Sequence, residues 1–251
     1  MTPLESVAIV AAGLAAGAIN AIVGSGSLIT FPTLLAVGYA PVTANVSSNI
    51  GLVPGSVSGI FGYRRELAGQ ATRVRKLASG SIIGSLVGAG LLLQLPASVF
   101  DQVVPFFILG ASVLMAVQPR LSRWVSSRRK DDAPDVHIVA VLATFLAGVY
   151  GGYFGAAQGI ILLSVLGILV PDDIHRSNAV KNVLAGLVNG VAAIYFIAFA
   201  NVAWEAVVLV AAGSVVGGAL GARYGRRIPP LALRRLVIAV GLIVAAKLFL
   251  A

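Results

Sequence analysis

Ten apolar stretches follow one another along this chain, near 5–23, 28–38, 43–62, 77–95, 99–117, 137–153, 157–170, 178–199, 206–222 and 234–250. Most are roughly 20 residues long, the length a helix needs to cross about 30 Å of hydrocarbon. Such continuous runs exclude a transmembrane β-barrel, whose strands alternate apolar and polar residues. With 58% hydrophobic and 11% charged residues and a mean hydropathy of +0.96, water is not the main solvent of this chain. Two stretches, 28–38 and 157–170, are too short to span and read as half-helices or re-entrant arms in corresponding positions. The expected fold is an all-α polytopic membrane protein with about eight full spans plus short half-helices.

The second constraint is an internal repeat. Gly80 to Ala89 reads GSIIGSLVGA and Gly213 to Ala222 reads GSVVGGALGA, an offset of 133 that also pairs Pro96 with Pro229 and Asn49 with Asn182. A slightly smaller offset pairs Gly17 with Gly148 and Gly24 with Gly155. Glycine-rich membrane helices converge on small residues, but convergence does not keep the order of all these markers. Residues 1–117 and 137–251 are therefore read as two membrane repeats joined by a basic linker, 118–136.

Fifteen of the eighteen basic residues lie in three loops, 63–76, 118–136 and 223–235. By the positive-inside rule all three are expected on the cytoplasmic side of an inner membrane. Loop 63–76 corresponds to 200–203 and loop 223–235 to 95–98, and neither counterpart carries a basic residue. Equivalent loops on opposite sides mean repeats of inverted topology, with both termini outside the cytoplasm. The segments 5–38 and 137–170 fit either a re-entrant hairpin or two crossings, because parity is the same. Met1 to Val10 carries no Lys or Arg ahead of its apolar run, so the start of the chain is expected to stay as the first helix rather than act as a cleaved signal. The charge of +9 is accounted for by topology, and no nucleic-acid partner is expected. No cysteine is present, which removes disulfides, thiolate metal sites and cysteine nucleophiles.

Inverted repeats with interrupted helices place a substrate near the midplane, where helix ends offer unpaired N–H groups and a positive dipole end that favour anions. In the first half the interruption is Gly24, Ser25, Gly26 and Ser27, reached through Asn20. In the second it runs from Gly151 to Gly159, with Gln158 aligned to Ser27. No Lys-Ser or Lys-Thr follows the glycines and no strand precedes them, so a nucleotide loop is not indicated. The next helix of each half supplies a second wall: Asn45, Ser47, Ser48, Asn49, Ser56 and Ser58 in one, Asn178, Lys181, Asn182 and Asn189 in the other. These polar groups recur at helical spacing and are expected to face the protein interior, as interhelical hydrogen bonds or as a substrate lining. Lys181 stands a few residues into an apolar helix, either as an anion-binding or gating charge or as a snorkelling one. Asp172 and Asp173 precede that helix as candidate caps.

A helix ending in Gly17, Ala18, Ile19 and Asn20, a break at Gly24 to Ser27, Pro32, and a helix start at Thr43, Ala44 and Asn45 resemble the TauE/SafE family of sulfite exporters, also called the 4-toluene sulfonate uptake permease family. The resemblance covers nearly the whole chain. It implies transport of sulfite, sulfonates or related organosulfur anions across a bacterial inner membrane. The break reads GSGS rather than a run richer in glycine, and the second half has Ala156, Ala157 and Gln158 at the equivalent place.

The reading is a secondary transporter, most simply an exporter, working by alternating access around a sulfur-anion site. Its substrate-binding residues are expected to be Asn20, Gly24, Ser25, Gly26, Ser27, Ser48, Asn49, Gln158, Asn178, Lys181 and Asn182. No cofactor, metal or catalytic residue is expected, and the bilayer is the one obligatory partner. A coupled proton or other ion and a second copy in a homodimer are further candidates; Asp101 and Glu205 are the candidate proton carriers, though both stand near helix ends. An anion channel is the nearest rival. An intramembrane enzyme would need Ser25 or Ser27 as nucleophile and His137 or His175 as base, and both histidines sit beside polar loops.

Overall fold

The computed structural model describes all residues except 128–135, 137, 171, 225–229 and 251. Arg128, Arg129, Lys130, Arg226 and Arg227, five of the fifteen basic loop residues, lie outside the described residues, as do His137 and Pro229. The described chain is helical: α1 (Pro3–Ile22), α2 (Ser27–Ala36), α3 (Pro41–Gly62), α4 (Ala71–Gln94), α5 (Ala97–Ser127), α6 (Ile138–Tyr153), α7 (Gln158–Leu169), α8 (Ile174–Phe199), α9 (Trp204–Tyr224) and α10 (Pro230–Leu250). Among the described residues, α1, α4, α5 up to Leu121, α8 and α9 are long and apolar enough to cross a membrane. The two short stretches become α2, of 10 residues, and α7, of 12.

The distribution of residues is that of a protein in lipid. Leu4, Ile194, Phe199 and Ile243 are largely exposed, while Asn45, Ser48, Gln158, Lys181 and Asn182 are buried. Large apolar side chains turned outward over so many helices suit hydrocarbon, and polar ones turned inward avoid it.

Close helix packing rests on glycine. α1 lies along α9 and α6 lies along α4; α3 packs against the first pair, α8 against the second, and α3 and α8 against each other. At the first seam a side chain on Gly17 would strike the carbonyl of Ser214, and one on Gly217 the carbonyl of Leu14. At the second, Gly84 faces the carbonyl of Phe145 and Gly152 that of Ser85. Backbones this close gain dispersion contacts that replace the absent hydrophobic drive in lipid. Residue numbers rise together along both seams, so each pair runs parallel. Most of the remaining contacts match under exchange of α1–α5 with α6–α10: α1 with α2 and α6 with α7, α2 with α3 and α7 with α8, α5 with α7 and α10 with α2. The hydroxyl of Tyr39, just beyond α2, reaches the sulfur of Met1 at 3.3 Å. The α1–α2 segment thus returns to the end where it began, as a hairpin.

The starts of α4 and α8 meet at the basic end. Asp172 pairs with Arg73 and, at 2.9 Å, with Arg176. Asp173 is the N-cap of α8, accepting a hydrogen bond from the backbone N–H of His175 at 2.8 Å, which satisfies one orphan donor of the first turn.

A polar cavity between two broken helices

α1 and α6 end in the same way. The N–H groups of Val23 and Gly24 both bond the carbonyl of Ile19, and those of Phe154 and Gly155 both bond the carbonyl of Tyr150. Gly24 has φ +86° and Gly155 φ +77°, the left-handed turn that glycine makes at least cost after a helix. The chain then reverses into α2 and α7, so both short helices begin beside the two breaks. The breaks touch: the N–H of Gly159 donates to the carbonyl of Gly24 at 2.8 Å, and a side chain on either glycine would run into the other.

Between them lies a small cavity of about 20 Å³, room for about one water molecule. The breaks line it with Asn20, Gly24, Ser27, Gly155, Gln158 and Gly159, α3 with Asn45, Ser48, Asn49 and Leu52, and α8 with Ala185 and Asn189. The ring of Phe154 closes one wall, backed by edge contacts to Phe31 and Phe100.

Most of the polar lining is engaged. Asn45 Nδ2 donates to the carbonyl of Tyr153 at 3.0 Å, Asn49 Nδ2 to Asn189 Oδ1 at 3.4 Å, and the hydroxyls of Ser48 and Thr30 share a 2.5 Å bond. Asn20 Nδ2 donates to Ser56 Oγ at 3.4 Å. Gln158 differs. It is only 3% exposed, and among the described residues its amide nitrogen has no partner, although a buried donor left unpaired costs about 1–3 kcal/mol; the one lining acceptor left in the same state is Asn49 Oδ1.

Of the residues expected from sequence, Asn20, Gly24, Ser27, Ser48, Asn49 and Gln158 line the cavity. The other five do not. Ser25 is buried with its hydroxyl on the sulfur of Met115 at 3.8 Å, and Gly26 packs against the carbonyl of Ala16. Asn178 and Asn182 both donate to the carbonyl of Ala21, at 3.3 and 3.2 Å. Lys181, fully buried, donates from Nζ to the carbonyl of Asn20 at 3.2 Å. Those two carbonyls belong to the last turn of α1, where backbone acceptors are left over and the helix dipole favours a cation. Asn45 does the same for the end of α6. Lys181 therefore sits one peptide behind the cavity wall, with no acidic partner among the described residues. Phe154 belongs to the second break, Gly151 to Gly159, whereas Leu52 and Ala185 carry no mark in the sequence, since an apolar residue in an apolar helix looks the same whether or not it borders a cavity.

A second cavity of about 10 Å³ adjoins the first, sharing Asn20 and Ala185 and adding Ala21, Gly55, Ser56, Gly59 and Asn182. Farther along α3, Gly62, Arg64, Arg65 and Arg223 line an open groove at the basic end.

A family model described as sulfite exporter TauE/SafE matches residues 9–248. The chain is 26% identical to the probable membrane transporter protein YfcA of Escherichia coli K12 over 234 residues, covering 93% of this chain and 85% of that one. It is 25% identical to a probable membrane transporter protein of Haemophilus influenzae, covering 94% and 91%, and 24% identical to the probable membrane transporter protein ORF9 of a Sinorhizobium species, covering 94% and 89%. No solved structure matches.

Proposed function

This chain belongs to the sulfite exporter TauE/SafE family, and from that premise we propose that it is a secondary transporter exporting small sulfur oxyanions or sulfonates across a bacterial inner membrane by alternating access. The observation that carries the anion reading is the unpartnered amide nitrogen of Gln158, a buried donor facing a small cavity where two half-helices begin. The positive dipole ends of α2 and α7 bias that volume toward negative charge. Ser27, Ser48, Asn20 and Asn49 supply further polar groups able to reorient toward an oxyanion. Asn178, Lys181 and Asn182 act through the end of α1 rather than by contact in this conformation.

The two halves, 1–117 and 137–251, are proposed as repeats of inverted topology in which α1–α2 and α6–α7 are hairpins that add no net crossing, α2 and α7 being half-helices. The matched contacts and the two parallel seams support this, because α1 starts at the end where α9 starts, whereas α6 starts at the basic end with α4. The linker 118–136 and loop 63–76 then lie in the cytoplasm. A cavity with room for one water suits an occluded conformation: a sulfur anion enters only when the halves shift. A membrane potential negative inside favours its exit by about 2.3 kcal/mol per charge per 100 mV.

Proteoliposomes of the purified protein test the reading, with radiolabelled sulfite, sulfate, thiosulfate and a small sulfonate offered in turn. Saturable flux of one of them is expected, and Gln158→Leu, which keeps volume but removes the amide, should lower it at least about tenfold, the scale of a hydrogen bond to a charge. Equal flux in the variant, or none of any anion in vesicles holding folded protein, would overturn it.

A further inference from the structure

We infer that Ser56 and Asn189 are the partners of two amide gates, one on each side of the central cavity, that close in alternation. The inference rests on the alternating-access reading above and adds the residues that execute it.

Ser56 and Asn189 stand 133 residues apart, the offset that pairs Asn49 with Asn182. They therefore occupy one position on α3 and on α8. The amides that face them come from different places. The smaller offset that pairs Gly17 with Gly148 pairs Asn20 with Gly151 and Ser27 with Gln158. The second half has no side chain where the first has Asn20, and the carboxamide of Gln158 lies over the bare Gly151, in the space a Cβ there would need. Each break thus carries one amide, delivered by the end of the long helix in one half and the start of the short helix in the other.

The two gates are in different states. Asn20 Nδ2 donates to Ser56 Oγ, and this bond stands between the central cavity and the smaller one that leads along Ser56 and Gly59 toward the basic end. At the counterpart, Gln158 and Asn189 both line the central cavity, yet the Gln158 nitrogen is unpaired and Asn189 Oδ1 accepts from Asn49 instead. Breaking Asn20–Ser56 joins the two cavities and opens the site to the basic side. In the opposite conformation Gln158 Nε2 closes onto Asn189 Oδ1, and Asn20 is released. The Gln158 donor left free for an anion in this conformation is thereby satisfied when the site faces the basic side.

The chain has no cysteine, so one placed in the cavity as Ser27→Cys is a unique reporter. Its modification by a membrane-impermeant anionic thiosulfonate is timed from each side of the membrane in oriented vesicles. Ser56→Ala should raise the rate from the basic-loop side about 3- to 10-fold and lower it from the other, the scale of one net hydrogen bond. Asn189→Ala should do the reverse, and Ser56→Thr, which keeps the hydroxyl, should match the parent. Should Asn189→Ala fail to fold, Gln158→Leu removes the same gate from its other side. Shifts in the same direction, or none, overturn the gates. Anion flux of the natural cysteine-free chain is followed in parallel, so that unchanged labelling with normal flux refutes the gates alone, whereas absent flux refutes the transporter reading beneath them.

Discussion

Lys181 shows what one residue does when its position and its partner are read together. Its number marked it at once, as a charge inside an apolar helix. Its partner was not legible, because the carbonyl of Asn20 comes from another half of the chain and only the crossing of α8 over the end of α1 brings them together. The equivalent position in the first half is Ser48, so one broken helix ends on a lysine Nζ donor and the other does not. Lys181→Met, which keeps length and loses charge, should leave the Asn20 carbonyl unpaired and cost about 1–3 kcal/mol, read as a lower unfolding temperature in detergent. Anion flux should fall at least about tenfold. The asparagines taught a similar lesson: their spacing put Asn178 and Asn182 on one face, and both do meet Ala21, but as caps on a helix end. Ser25 and Ser27 could not be told apart in advance, since which serine faces the cavity depends on the phase at which α2 begins.

At the level of helices, hydropathy located every element and misplaced several ends. α4 begins at Ala71, ahead of the apolar run at 77, α8 begins at Ile174, ahead of 178, and α5 continues to Ser127, beyond 117. In each case the extra turns carry Arg, Lys or polar residues. Hydropathy reports where lipid is, whereas backbone hydrogen bonding continues into the headgroup layer and beyond. The glycines were legible as a composition and as a repeat, but their individual duties were not. Gly217 faces a carbonyl so closely that a methyl group cannot fit, while among the described residues Gly110 on α5 has nothing within 4 Å of where its side chain would be. Gly217→Ala should therefore destabilise by about 1–3 kcal/mol through overpacking, and Gly110→Ala should be neutral or stabilising by about 0.5–1 kcal/mol through lower unfolded-chain entropy. Thermal unfolding of the two variants side by side checks the contrast.

The whole molecule is tied at its basic end by Asp172, which joins the starts of α4 and α8. Burial alone would raise the pKa of its carboxyl, but the hydrogen bond and charge of Arg73, the N–H of Asp173 and the charge of Arg176 outweigh it and hold the group below its ordinary value. A carboxyl depressed by folding adds stability above its unfolded pKa and gives it up as pH falls through the folded one. The unfolding temperature should therefore drop on acidification below the ordinary carboxylate range, near pH 4, and Asp172→Asn should flatten that part of the profile while lowering the plateau above it. The seams between helices have a consequence for how such a chain is made. α1 is complete at Ile22, but its glycine face is built for α9, which starts at Trp204. At about 5–20 residues per second, synthesis leaves that face waiting on the order of 10 to 40 s. During that time the first helix sits in the membrane without its mate, its notched side open to lipid or to an insertion factor, and α4 waits in the same way for α6. Neither half can mature alone, so α1 finds its place only once the ribosome has carried synthesis through α9.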